Sequence, residues 1–134
     1  AVEMRNSHWL REEYFGSLAK HGVTHVFNSW EAMPSVSEQM SLPGSRTNPQ
    51  LVVARFLLKP GRKYEEAVKA FAPYDSARDV NEEARNAAAE LMGEGLRAKG
   101  RRTFIHVNNR MEGSALETIA AVLERQGTPR SSLS

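Results

Sequence analysis

A chain of 134 residues is long enough for one domain with a buried core, but well short of the about 250 residues typical of a complete eight-stranded α/β barrel. Eighteen Lys and Arg against sixteen Asp and Glu leave a net charge of +2 that is scattered along the sequence, which gives no footing for nucleic acid, and no apolar run approaches the roughly 20 residues that span a bilayer. With no Cys there can be no disulfide, thiol nucleophile or thiolate metal site, and the cytoplasm is the expected compartment, with no cofactor implied.

The opening "AVEMR" alternates Val2 and Met4 with Glu3 and Arg5, the pattern of a strand with one apolar face. Its charges also rule out the apolar core of a secretory signal at this point. Leu10, Tyr14 and Leu18 then recur at helical spacing after Ser7, and Gly22 supplies a stop. "VTHVFN", Val23 to Asn28, is β-branched and aromatic and reads as a second strand.

From Trp30 to about Gln50 the chain is rich in Pro, Ser and Gly, and such a stretch inside a compact domain suggests a lid with one short helical turn. "LVVARFLL", Leu51 to Leu58, is the strongest strand signal. After "KPGRK", Tyr64, Ala67, Val68 and Phe71 outline a short helix that Pro73 ends. Asn81 caps a long helix expected to reach Gly100, "TFIHVN" is a fourth strand, and Ser114 with Glu117 forms a capping box for a last helix to about Gln126. The tail, residues 128–134, is expected to be disordered, leaving residues 1–127 as a single domain.

Strands alternating with helices, and no hairpin dipeptides between them, imply an α/β fold of four parallel βα units joined by right-handed crossovers. In such units the polar residues at the carboxyl ends of strands gather where ligands bind. Arg5, Asn28, Arg55 and Asn108 fall at that end. The loop "NNRMEG" precedes a helix whose first backbone N–H groups suit an anion.

Four stretches carry a family resemblance: Glu3, Arg5, Ser7 and Trp9 near the start, "NSW" with the following "MPSVSEQ", "VARFLLKPGRKYEEAVKAFAPYD", and "FIHVNNRMEGSA". Together they resemble the YecE-like family, domain of unknown function 72, whose members are TIM-type barrels. The resemblance runs from Ala1 to about Gln126 and implies the second half of such a barrel, without the first four βα units. It implies no reaction. Ala115 and Leu116 depart from the Ala-Pro more usual in the family. A half-barrel leaves two edges and an inner face uncovered, so the resemblance implies a homodimer, a missing N-terminal half-barrel, or a rearranged open sheet.

Strand parity sets Glu3 with Arg5, Val53 with Arg55, and His106 with Asn108 on shared faces, which a barrel would turn inward. One reading is a site: Arg5 and Arg55 hold a small anionic or phosphorylated ligand, Glu3 serves as acid or base, and Asn28, His106, Asn108, Asn109 and Arg110 complete the binding set. The other is an internal ion-pair network of Glu3 with the arginines that fills the barrel. Arg110 and Glu112 either close over the site or pair at the surface, and Trp9 and Trp30 either stack a ligand or pack. No metal is expected, because the four His are too dispersed. Two functions stand side by side: an anion-binding protein with possible acid–base chemistry, or a non-catalytic, self-associating module with an incomplete site.

Overall fold

The computed structural model describes residues 1–126; the expected tail lies outside the described residues, as does the last residue of the expected domain. The strongest strand signal becomes the centre of the sheet. β2 (Leu51–Phe56) has β1 (Val26–Ser29) on one side and β3 (Arg102–Val107) on the other, both parallel to it. Parallel neighbours need a crossover, and helices supply it. α1 (Glu12–Lys20) precedes β1, α2 (Val36–Ser41) joins β1 to β2, α3 (Tyr64–Phe71) and α4 (Glu82–Arg97) join β2 to β3, and α5 (Ala115–Arg125) follows.

The segment expected as a first strand does not extend into one. Val2 makes a single parallel bridge with His25, through Val2 N donating to Thr24 O (2.8 Å) and Val26 N donating to Val2 O (2.9 Å). Beyond that point the chain is held from β1 by a side chain instead, Asn28 Nδ2 to Met4 O at 2.8 Å. The sheet therefore has three strands among the described residues.

Helix starts follow the capping logic of the sequence. Asn81 accepts from Ala84 N (3.0 Å) and Ser114 from Glu117 N (3.4 Å), each satisfying an orphan first-turn donor. The box at Ser114 is only half made, because the Glu117 carboxylate accepts from Ala77 N at 2.7 Å and so ties α5 to the loop before α4. α4 ends at Arg97, short of Gly100.

The stretch expected as a lid is pinned down. Gln39 in α2 is fully buried; its amide donates to Asn28 O (2.7 Å) and Pro34 O (2.9 Å), and its carbonyl accepts from Asn28 N (3.4 Å). Thr47 accepts from His25 N and donates to Val23 O, and Arg46 makes a two-pronged pair with Glu94 of α4 (3.1 and 2.7 Å). These bonds turn residues 30–50 into a fixed crossover.

All the helices that pack on the sheet cover one face of it. Phe27, Val52, Ala54 and Phe56 point to that side and form the main core with Val36 and Met40 of α2, Ala84, Ala87, Ala88 and Leu91 of α4, and Val122 of α5. Gly95 permits the close approach of α4 to β3, since a Cβ there would run into the Thr103 side chain. The opposite face is increasingly bare across the sheet: Val26 and Asn28 of β1 are buried, Val53 and Arg55 of β2 half-buried, and Phe104 and His106 of β3 exposed. Among the described residues no helix is long and apolar enough to cross a membrane.

α1 is held by aromatic contacts. Phe15 is buried edge-on to His25 (ring centroids 5.2 Å), which is in turn edge-on to Phe27 (4.9 Å), and Tyr14 Oη lies 3.0 Å from His25 Nδ1. Burial lowers the His25 pKa from 6.5 to about 4, because a charged imidazole would lose its hydration there. The unfolded chain therefore takes up a proton near pH 6.5 that the folded chain refuses until about pH 4. Stability from this group is complete above the upper limit, falls as pH drops through the window and levels off below it. The loss approaches about 3 kcal/mol, taking about 1.36 kcal/mol per pH unit. Urea unfolding of the wild type and of His25→Phe between neutral pH and about pH 4 checks this: the acid-side slope is expected to shrink in the variant.

Candidate functional site

The strand register builds the centre of the site. Asn28 of β1 aligns with Arg55 of β2, and Arg55 with His106 of β3, so one polar row crosses the sheet at its carboxyl end. Parallel partners share a face, and this is the face without helices. One layer below, Val26, Val53 and Phe104 form an apolar row, so the polar groups sit above a hydrophobic floor.

Glu3 joins this row from the N-terminal segment. Its Oε2 accepts from Arg55 Nη1 at 2.6 Å and lies 3.6 Å from Arg5 Nη2. The Glu3 side chain is largely buried whereas both guanidinium groups are partly open to solvent, so the carboxylate is a buried post between two accessible cations. Its other oxygen, Oε1, is buried without a hydrogen-bond partner, as is Oδ1 of the fully buried Asn28. The ion-pair network of Glu3 with the arginines is thus present, with one acid for two bases.

The remaining expected residues build the loop after β3. Asn108 receives the chain from the sheet through its N–H to Phe56 O (2.9 Å), and its Oδ1 accepts from Arg110 N (2.9 Å). Asn109 Oδ1 accepts from Ala115 N at 2.8 Å, occupying a first-turn donor of α5 that was expected to await an anion. Arg110 lays its guanidinium over the Tyr64 ring, 4.7 Å from the centroid, and among the described residues makes no ion pair. His106 is exposed on the bare face, in line with Arg55 but without a hydrogen bond of its own among the described residues.

Glu112 corrects the expectation of a pair with Arg110. It is fully buried, and its carboxylate takes a forked contact from Arg85 of α4 (Nε at 3.1 and 2.9 Å, Nη2 at 2.9 Å), with further bonds from Asn81 N (2.6 Å) and the Thr118 hydroxyl. Its carbonyl accepts from Arg78 N and Asp79 N. One residue thereby links α4, α5 and the loop between α3 and α4. Gly113 follows at φ +118°, and a Cβ there would collide with the Ser76 carbonyl oxygen, so only glycine lets the two loops touch.

Asp79, held in place by that node, is the second acid of the rim, and sequence reasoning missed it. It pairs with Arg62 and, at 3.6 Å, with Lys59, so the basic "KPGRK" loop is partly neutralised. The hydrogen bond from Arg62, aided by the Lys59 charge, lowers the Asp79 pKa below the usual carboxylate value. Arg62 also lies over the Phe71 ring (4.9 Å) and Arg5 over Trp30 (4.2 Å). Trp30 and Phe71 belong to one small cluster with Leu58, Ala67 and Tyr74, so α3 supports three guanidinium–aromatic stacks around the rim. Trp30 thus packs on this cluster and also carries a cation, and Trp9 is exposed. Among the described residues no group of three or more His, Asp and Glu could hold a metal ion.

A parallel α/β layer with helices on one face, whose polar residues collect at the strand ends, is the class that this geometry defines. The chain belongs to the family described as protein of unknown function DUF72, whose model matches residues 1–133. Two crystal structures of a DUF72 family protein from Enterococcus faecalis V583 are similar to it at 17% identity, with TM-scores of 0.56 and 0.57. The match covers 94% and 92% of this chain and 46% of theirs, so the chain spans about half the length of the solved proteins. At that identity the likeness shows the fold alone. No curated protein matches the sequence.

The Glu112 node is testable. Arg85→Ala would strand a buried carboxylate, and the expected loss is about 3–5 kcal/mol of unfolding free energy in denaturant titration. A loss under about 1 kcal/mol would show that the carboxylate is hydrated or protonated without penalty.

Proposed function

We propose that this DUF72 chain is one half of a parallel βα ring, with residues 1–5 as the edge of a fourth strand, and that it binds a small anionic or phosphorylated ligand at the carboxyl ends of its strands. The parallel bridge of Val2 to His25 and the likeness to chains of about twice the length support the first part. One observation carries the second: the Glu3 carboxylate alone serves both Arg5 and Arg55, which leaves a positive charge unmatched beside the Asn28–Arg55–His106 row. Arg110, without an acidic partner among the described residues, adds to that surplus.

The ligand's charged group meets the outward parts of Arg5 and Arg55, while Glu3 keeps the two guanidinium groups in register from behind. Charge-assisted bonds of this kind are worth about 1.5–3 kcal/mol each. Acid–base chemistry belongs to the same reading, since Oε2 of Glu3 is committed to the arginines and Oε1 is not. The lack of Cys fits a reducing cytoplasm as the place of action.

Isothermal titration with inorganic phosphate tests the proposal. Arg55→Ala and Arg5→Ala are each expected to weaken binding roughly tenfold or more with circular dichroism unchanged, following the size of one charge-assisted bond. Equal affinity in the wild type and both variants would reject the site.

A further inference from the structure

Besides a groove of about 380 Å³ by Lys59 and Pro60, cavities lie along the two sides of the molecule. A groove of about 610 Å³ lies against α1, lined by His8, Trp9, Arg11, Glu13, Tyr14 and Ser17. On the far side, beside β3, grooves of about 360 and 150 Å³ are lined by Met92, Leu96, Ile105, Val107, Ile119 and Leu123. Apart from Tyr64, Val80 and Leu116, the exposed large apolar side chains fall in these places: Trp9 (61% exposed) in the first groove, Leu96 (75%) and Ile119 (42%) in those beside β3, and Phe104 (45%) on the bare face. Apolar surface gathered in this way marks an interface rather than chance exposure.

The two sides are also alike in kind. Among the described residues β3 pairs with β2 along one edge only, so the other edge of Arg102–Val107 offers unpaired N–H and C=O groups with α4 and α5 beside it. The opposite side ends in the N-terminal segment, bonded inward to β1 at Val2 and flanked by α1. Both edges run in the same direction. The object that meets a parallel edge backed by helices is another parallel edge backed by a helix, and the chain carries one of each.

We propose that a second copy of this chain covers these faces, related by a two-fold axis parallel to the strands, with the N-terminal edge of each copy set against β3 of the other. A half-turn about such an axis closes both seams at once with the same contacts and leaves no free strand edge. The solved DUF72 structures argue for the size of the occupant, since this chain matches 46% of theirs and the rest of those chains is about as large again. The arrangement rests on the half-ring reading above and completes its site: the row of Asn28, Arg55 and His106 gains as its facing wall the same row from the second copy. Each half without the other leaves Phe104 and His106 in water.

Light scattering on the 134-residue chain during size exclusion tests this, together with Ile119→Asp and Leu96→Asp, both exposed positions whose change leaves the core intact. A wild-type dimer at tens of micromolar that becomes monomeric in either variant, with unchanged circular dichroism, supports the proposal. A monomeric wild type overturns it and assigns the two faces to some other polypeptide, and a dimer that survives both substitutions overturns these seams. Phosphate titration on the same samples separates the two readings: a monomer that binds phosphate sinks the dimer alone, and a seam-dependent dimer indifferent to phosphate sinks the anion site alone.

Discussion

A carboxylate with no access to water organises the upper half of this protein. Arg85, the Asn81 backbone and Thr118 satisfy Glu112 in the interior from three directions, and each of those partners belongs to an element that must then hold still. α4 and α5 are each fixed at the first turn. The loop that brings Asp79 to the rim is clamped by the Glu112 carbonyl. Shape does the rest, since Gly113 lets the Ser76 backbone approach where any side chain would block it. A hydrophobic residue at position 112 could fill the space but could not align three backbones.

From this node the one-sidedness of the sheet follows. α4 and α5 lie together over β2 and β3, α2 over β1, and the core of Phe27, Ala54, Phe56 and Leu91 forms between. Among the described residues no helix covers the other face, so Arg55 and His106 there remain partly open to solvent. Glu3 and the two arginines pair there, above an apolar floor of Val26, Val53 and Phe104.

Much of this was legible in the sequence wherever the cause was local. "LVVARF" could only be a well-buried strand, Asn81 and Ser114 cap their helices, and period-two parity set Arg55 on the face of its neighbours' polar residues. The failures share one cause, a partner distant in sequence. Glu112 sits between Met111 and Gly113 with nothing nearby to announce Arg85, 27 positions earlier, so a surface pair with Arg110 looked equally reasonable. The stretch after Trp30 lacked periodicity because its anchors are polar and specific: Gln39 between apolar Val36 and Met40 was the available clue that a buried amide ties it to β1. "AVEMR" alternates as a strand should, yet with a single neighbour it pairs only at Val2. The second acid of the rim, Asp79, lies in a loop whose sequence looks merely solvated.

The arginines at the rim differ from ordinary surface arginines in lying over aromatic rings: Arg5 over Trp30, Arg62 over Phe71, Arg110 over Tyr64. An arginine side chain carries about 2 kcal/mol of rotamer entropy that capture of a ligand would normally have to remove. Here folding has already removed part of it, since each guanidinium is held beside a ring. Such a surface holds its charges at fixed spacing before anything reaches it.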